Sequence, residues 1–190
     1  MIRTFVAIEI PRLPELSNLL DRLRMSGSKV SVPKAENVHI TLKFLGDVNE
    51  GEVDRIIAAL KEASSGFSQS EARMIGTGVF PGQRDPRVFW VGIEDGGATS
   101  MIAKAVDERA SGLGFEAEKR PFTPHITVAR VKSSSGIEKS LGILREYEKT
   151  DFGSFRIEDV RLKKSTLTPG GPIYEDLGVV PLTAGGPSRR

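Results

Sequence analysis

The chain has 190 residues, 38% hydrophobic and 27% charged, enough for one substantial core and, by length, one domain rather than two. With 27 basic against 25 acidic residues the net charge is only +2, so no global field holds a long polyanion and an anionic substrate must be gripped locally. The absence of cysteine excludes disulfides, thiolate metal sites and cysteine nucleophiles, and no apolar run reaches the roughly 18 residues of a membrane span. Met1 to Phe5 carries no basic stretch with an apolar run behind it, so the expected location is the cytoplasm.

In chain order, residues 4–10 are β-rich and apolar and predict a buried strand. Leu16, Leu19, Leu20 and Leu23 recur at three- and four-residue steps, the stripe of an amphipathic helix that Gly27 can terminate. Residues 38–44 alternate, with His39, Thr41 and Lys43 on one side and Ile40, Leu42 and Phe44 on the other, which predicts a strand. A helix over residues 50–63 follows, with Asn49 as N-cap and Glu52 at the capping-box position. Residues 72–80 and 88–93 read as an antiparallel pair joined through the turn-rich residues 81–86.

The pattern then begins again. A helix around Met101, Ile102, Ala105 and Val106 ends near Gly112 and Gly114, a strand spans residues 126–131, and a further helix carries Ile137, Leu141 and Leu144. Helix, histidine strand, helix thus occurs twice, with almost no shared sequence outside the histidine strands. Residues 157–167 and 173–180 read as a closing hairpin about the turn at 168–172. The expected domain covers residues 1–182, and residues 183–190, small, polar and basic, are expected to be a disordered tail.

The two histidines are the only ones in the chain, and each is followed by Ile-Thr: His39-Ile40-Thr41-Leu42 and His125-Ile126-Thr127-Val128. On a strand, residues i and i+2 share a face, so each motif sets an imidazole beside a hydroxyl with an aliphatic anchor facing the core. If the strands are neighbours, four polar groups converge. That inventory suits the opening of a cyclic phosphate: a base for water, an acid for the departing ribose oxygen, and donors for the non-bridging oxygens. Histidine fits both proton roles because its unperturbed pKa of about 6.5 is near working pH. A lone His-x-Thr would ordinarily be a satisfied strand residue; two in a repeated setting are not so readily explained. No His-x-His, His-Glu-x-x-His or carboxylate cluster accompanies either motif, so neither a metal nor another cofactor is expected. No Gly-x-Ser-x-Gly elbow marks a serine nucleophile. Lys43, Arg84, Arg87 and Arg120 are further candidates for phosphate contacts, and residues 81–86 and 132–136 are long enough to close over a site.

These motifs, with Arg3-Thr4-Phe5-Val6-Ala7-Ile8, Asn37-Val38-His39 to Gly46, Pro121 to Arg130, and Ser165 to Tyr174, resemble the two-histidine phosphoesterases, specifically the LigT-like RNA 2′,3′-cyclic phosphodiesterases. The resemblance runs over nearly the whole chain. One departure is Val128, where the family commonly has Leu. The resemblance implies an α+β, bilobal fold: two antiparallel sheets with pseudo-two-fold symmetry around a central cleft, helices outside. It implies hydrolysis of 2′,3′-cyclic phosphate ends to 2′-phosphomonoesters by a monomer without metal, on RNA 3′ ends or nucleotides carrying a cyclic phosphate, with 2′-5′ ligation a minor reverse reaction. Carried over, His39 is the general acid and His125 the general base, two labels that the pseudo-symmetry makes nearly exchangeable. Thr41 and Thr127 hold phosphate oxygens, and Phe44 and Arg130 hold the nucleobase. Strand parity opposes the last pair: each lies five residues after its histidine, an odd offset that demands a bend in the strand. The alternatives are the same chemistry on a small cyclic nucleotide or a 2′-5′ linkage, and a non-catalytic RNA- or nucleotide-binding module.

Overall fold

The computed structural model describes residues 1–184. Among these, the elements run β1 (Ile2–Glu9), α1 (Pro14–Met25), β2 (Val30–Ser31), β3 (His39–Val48), α2 (Val53–Ser64), β4 (Ser70–Phe80), β5 (Val88–Glu94), α3 (Ala98–Gly112), β6 (His125–Val131), α4 (Glu138–Glu146), β7 (Asp151–Ile157), β8 (Asp159–Thr168) and β9 (Gly171–Pro181). Every pairing between these strands is antiparallel, in the order β7-β4-β5-β6-β3-β1-β8-β9, with β2 added on β6. The fold is α+β, as the resemblance implies.

Two lobes are evident in the strand order. β7-β4-β5-β6 forms one and β3-β1-β8-β9 the other, and they meet at a seam where β3 pairs with β6 through Ile40 and Ile126 alone. Both isoleucines are fully buried, so the seam is pinned by the aliphatic side chains between each histidine and its threonine. Reading outward from the seam, β6 matches β3, β5 matches β1, β4 matches β8 and β7 matches β9, which is the expected pseudo-two-fold relation.

The helices are interleaved between lobes. α1 follows β1 yet packs against β6, β7 and α4, whereas α3 follows β5 yet packs against β3 and α2. Leu16, Leu19, Leu20 and Leu23 are the buried face of α1, each stabilising by roughly 1.5–3 kcal/mol relative to exposure. Arg22 of α1 pairs with Glu146 of α4 at 2.7 Å, and Arg109 of α3 pairs with Glu62 of α2 at 3.0 Å. α2 lies so close on β9 that a Cβ at Gly178 would sit 2.6 Å from the Ile57 side chain. No helix among the described residues is long and apolar enough to cross a membrane.

Three local expectations need correction. Asn49 does cap, accepting from the Gly51 N–H at 3.1 Å, but it caps a 3₁₀ turn over Glu50–Glu52 and α2 starts only at Val53, with no side-chain bond from Glu52. β7 is an additional strand that pattern reading misses. At the C-terminal end, Thr183 is not part of a free tail: it forms a parallel bridge with Ser68, and Gln69 N–H donates to its carbonyl at 2.8 Å. Residues 185–190 of the expected tail lie outside the described residues.

Candidate active site

β3 and β6 each carry a β-bulge at the fourth residue of the histidine motif. On β3, Ala7 of β1 is opposite Thr41 and Val6 is opposite Lys43, leaving Leu42 as the extra residue. On β6, Trp90 of β5 is opposite Thr127 and Phe89 is opposite Ala129, leaving Val128 extra. A bulge inverts the alternation beyond it. Leu42 and Lys43 are therefore both buried, as are Val128 and Ala129, while Phe44 and Arg130 turn back to the face that carries the histidines. The parity objection to Phe44 and Arg130 is removed by this geometry.

The same bulge overturns the expectation for Lys43. It does not share a face with His39 but is 2% exposed on the helix side of the sheet. Its ammonium donates to Asp107 Oδ1 at 2.5 Å and to the Glu116 carbonyl at 2.7 Å. Arg84, Arg87 and Arg120 also lie off the cleft, and Arg87 pairs with Asp85 at 3.1 Å.

A cleft of about 890 Å³ crosses the seam. His39, Thr41 and Phe44 of β3 line it together with His125, Thr127 and Arg130 of β6, so all six candidate residues converge. Antiparallel pairing at Ile40 and Ile126 sets His39 on the side of Thr127 and Thr41 on the side of His125, and each imidazole thus has the other motif's hydroxyl across the seam.

Both rings are held in one tautomer. His39 Nδ1 donates to the Asn37 carbonyl at 2.8 Å and His125 Nδ1 to the Thr123 carbonyl at 2.6 Å. A carbonyl only accepts, so Nδ1 carries the proton and Nε2 is the nitrogen left for chemistry. An aromatic edge steadies each ring: Tyr174 against His39 at 5.2 Å between centroids, and Phe80 against His125 at 5.0 Å. Burial lowers both pKa values below the ordinary 6.5, His39 to about 4, opposed by the carbonyl bonds; Lys163 and Arg130 push His39 further down, and Arg130 does the same to His125.

Several lining residues carry no expected role in the sequence reading of the site. Arg3, Lys34 and Lys132 stand around the cleft with Arg130, and among the described residues no Asp or Glu lines it. Tyr174 and the tip of the β8–β9 hairpin form one lip, and Ser31 to Lys34 another. The expected closing loop at residues 81–86 does not line the cleft, and of residues 132–136 only Lys132 does. Asn37 ties the hairpin to the motif: its side-chain amide donates to the Pro172 carbonyl at 3.1 Å, while its main-chain carbonyl holds His39. Among the described residues no three of His, Cys, Asp and Glu gather as a metal-ligand set.

The family model for LigT-like phosphoesterases matches this chain twice in succession, over residues 8–90 and 92–174, with one histidine motif in each match. The chain belongs to the LigT-like phosphoesterases. Among this LigT-like chain's relatives, a protein named RNA 2′,3′-cyclic phosphodiesterase in Methanothermobacter thermautotrophicus is 36% identical over 180 residues, covering 94% of this chain and 97% of the relative. A protein of the same name in Archaeoglobus fulgidus is 39% identical over 187 residues, covering 94% and 99%. A Thermus thermophilus crystal structure, 25% identical, superposes with a TM-score of 0.79 over 97% of this LigT-like chain and all of that one. The fold is shared with Escherichia coli LigT complexed with 3′-AMP, at TM-score 0.74 and 23% identity over 96% and 98%.

Proposed function

We propose that the chain is an RNA 2′,3′-cyclic phosphodiesterase that opens the cyclic phosphate to a 2′-phosphomonoester by acid–base catalysis between His39 and His125. The observation that carries the reading is the pair of imidazoles, each with Nδ1 tied to a main-chain carbonyl and Nε2 left for the cleft, facing each other's threonine across one seam. The close relatives bearing that name support it.

In the proposed step, one neutral imidazole removes a proton from water as the water oxygen bonds to phosphorus. The bond from phosphorus to the ribose 3′ oxygen breaks on the far side, and the protonated imidazole delivers its proton there. His39 takes the acid role and His125 the base role. Thr41 and Thr127 donate to the non-bridging oxygens, and the cationic rim stabilises the charge that develops on them. With both imidazoles shifted toward neutrality in the free protein, the acid is charged when the phosphodiester anion arrives and offsets Arg130 and Lys163. Phe44 and Arg130 flank the terminal base, one by its ring face and the other by its guanidinium plane. The site is drawn from both halves of residues 1–182, so we take that span as one functional unit, complete in a monomer.

The test is hydrolysis of a short RNA ending in a 2′,3′-cyclic phosphate, with EDTA present, by the native protein and by His39→Ala and His125→Ala. A 2′-phosphate product lost in both variants is expected; silence of the native protein, or loss of its activity to EDTA, would overturn the reading.

A further inference from the structure

The four cations of the cleft, Arg3, Lys34, Arg130 and Lys132, make no ion pair and no side-chain hydrogen bond among the described residues, and no carboxylate there lines the cleft to balance them. Arg161, just outside the cleft lining, by contrast meets Glu9, Asp159 and Asp176. A cyclic phosphate carries one negative charge, two imidazoles and two hydroxyls already surround its place, and Arg130 is taken by the terminal base. Three unbalanced cations therefore remain in excess of what a single terminal phosphate requires.

Lys132 follows directly on the end of β6, its N–H bonded to the Lys29 carbonyl at 2.8 Å, and it lines the cleft with Arg130 of that strand. Lys34 stands beside them, because β2 pairs with β6 through Ser31 and Arg130 and the lip Ser31 to Lys34 continues from it. The opposite lip, the β8–β9 hairpin, offers Leu167, which is 69% exposed and lines the cleft. A basic wall facing an apolar lip is the arrangement that holds a single strand, backbone on the cations and base on the apolar surface.

We propose that Lys132 and Lys34 form an upstream phosphate track: the strand 5′ of the cyclic end runs along β6 away from His125, its next phosphate on these two lysines and its next base against Leu167. The track makes the preferred substrate an oligonucleotide end rather than a cyclic mononucleotide. It rests on the phosphodiesterase reading for the placement of the terminal phosphate.

The test is equilibrium binding of 2′-phosphate-ended products of one, two and four nucleotides, over a range of salt, to the native protein and to Lys34→Gln, Lys132→Gln and the double variant. Affinity is expected to rise about tenfold from one nucleotide to two, with the log–log salt slope steeper by roughly 0.7 for each further phosphate that the lysines neutralise. Each single variant should lower the ratio of dinucleotide to mononucleotide affinity several-fold, and the double variant should bring the ratio near one and remove the roughly 0.7 of slope that the further phosphate adds. Affinity independent of length, or a ratio unchanged in the double variant, overturns the track. Turnover of cyclic ends, measured beside it, separates the two readings: turnover with length-independent binding removes the track and leaves the phosphodiesterase, whereas length-dependent binding without turnover does the reverse.

Discussion

Leu42 and Val128 occupy the same position, three residues after a histidine, and each is the extra residue of a β-bulge. By inverting the strand's alternation at one point, the pair sends Lys43 and Ala129 into the core and returns Phe44 and Arg130 to the cleft. The bulges thus add a further cleft-lining side chain to each strand without moving the imidazole and hydroxyl ahead of them.

Replacement of either histidine by alanine is predicted to lower kcat by about 10²–10⁴, the usual worth of one positioned acid or base. The double variant should be little worse than either single one, since the two act as a unit. Steady-state hydrolysis of a cyclic-ended RNA measures this; a double effect equal to the product of the singles would argue for independent roles.

Both imidazoles titrate below 6.5 in the free protein, so the bell of kcat/KM is predicted to centre on the acid side of 6.5. Bound phosphodiester raises both values, and the kcat profile should therefore lie at higher pH than that of kcat/KM. The two profiles, recorded on one substrate, decide this, and coincident profiles would contradict it.

Stability carries the same signature. His39 has a folded value of about 4 and an unfolded value near 6.5, so between these pH values the unfolded chain binds the proton that the folded one refuses. Unfolding free energy is predicted to fall as pH drops from about 6.5 toward 4, and less so in His39→Gln. The single tryptophan, Trp90, gives a fluorescence signal for the denaturant curves.

Asp107→Ala leaves the buried Lys43 ammonium with only the Glu116 carbonyl, and is predicted to cost about 3 kcal/mol. Lys43→Met in the Asp107→Ala background should recover much of that loss, because no buried charge remains. Guanidinium unfolding of the native protein and the two variants tests the order.

Asn37→Ala removes the amide that holds Pro172 while keeping the carbonyl that holds His39. The predicted result is a kcat/KM lower by about tenfold, or 1.4 kcal/mol, as the hairpin lip loosens, with the melting temperature little changed. A fall in melting temperature that matches the lost activity would mark Asn37 as merely structural.

Much of the fold and the site is legible in the residues. The two His-Ile-Thr motifs specify strands, faces and chemistry at once, because a period of two admits one arrangement of polar and apolar side chains. β7 is not legible, since Phe152 is itself the extra residue of a bulge beside Gly153 at φ +110°, and its apolar residues lose their alternation. The bulges at Leu42 and Val128 leave one trace, the odd offset from His39 to Phe44 and from His125 to Arg130. Of the rim cations Arg3 falls in the opening motif but without a role, and Lys34 and Lys132 in none; they come from three separate stretches of chain, and only tertiary pairing brings them to one cleft.

The interleaving of the lobes also accounts for a site with two like histidines. By the two successive family matches, α1, β2 and β4 belong to the first half of the chain yet sit in the lobe of β5, β6 and β7, while α3, β8 and the start of β9 belong to the second half yet sit in the lobe of β1 and β3. Each half has lent one helix and two strands to the other, which is the topology of a domain-swapped dimer joined into a single polypeptide. In such an arrangement a chain with one histidine motif obtains its second from a copy of itself, and joining the copies frees each side of the cleft to diverge, Phe44 on one and Arg130 on the other.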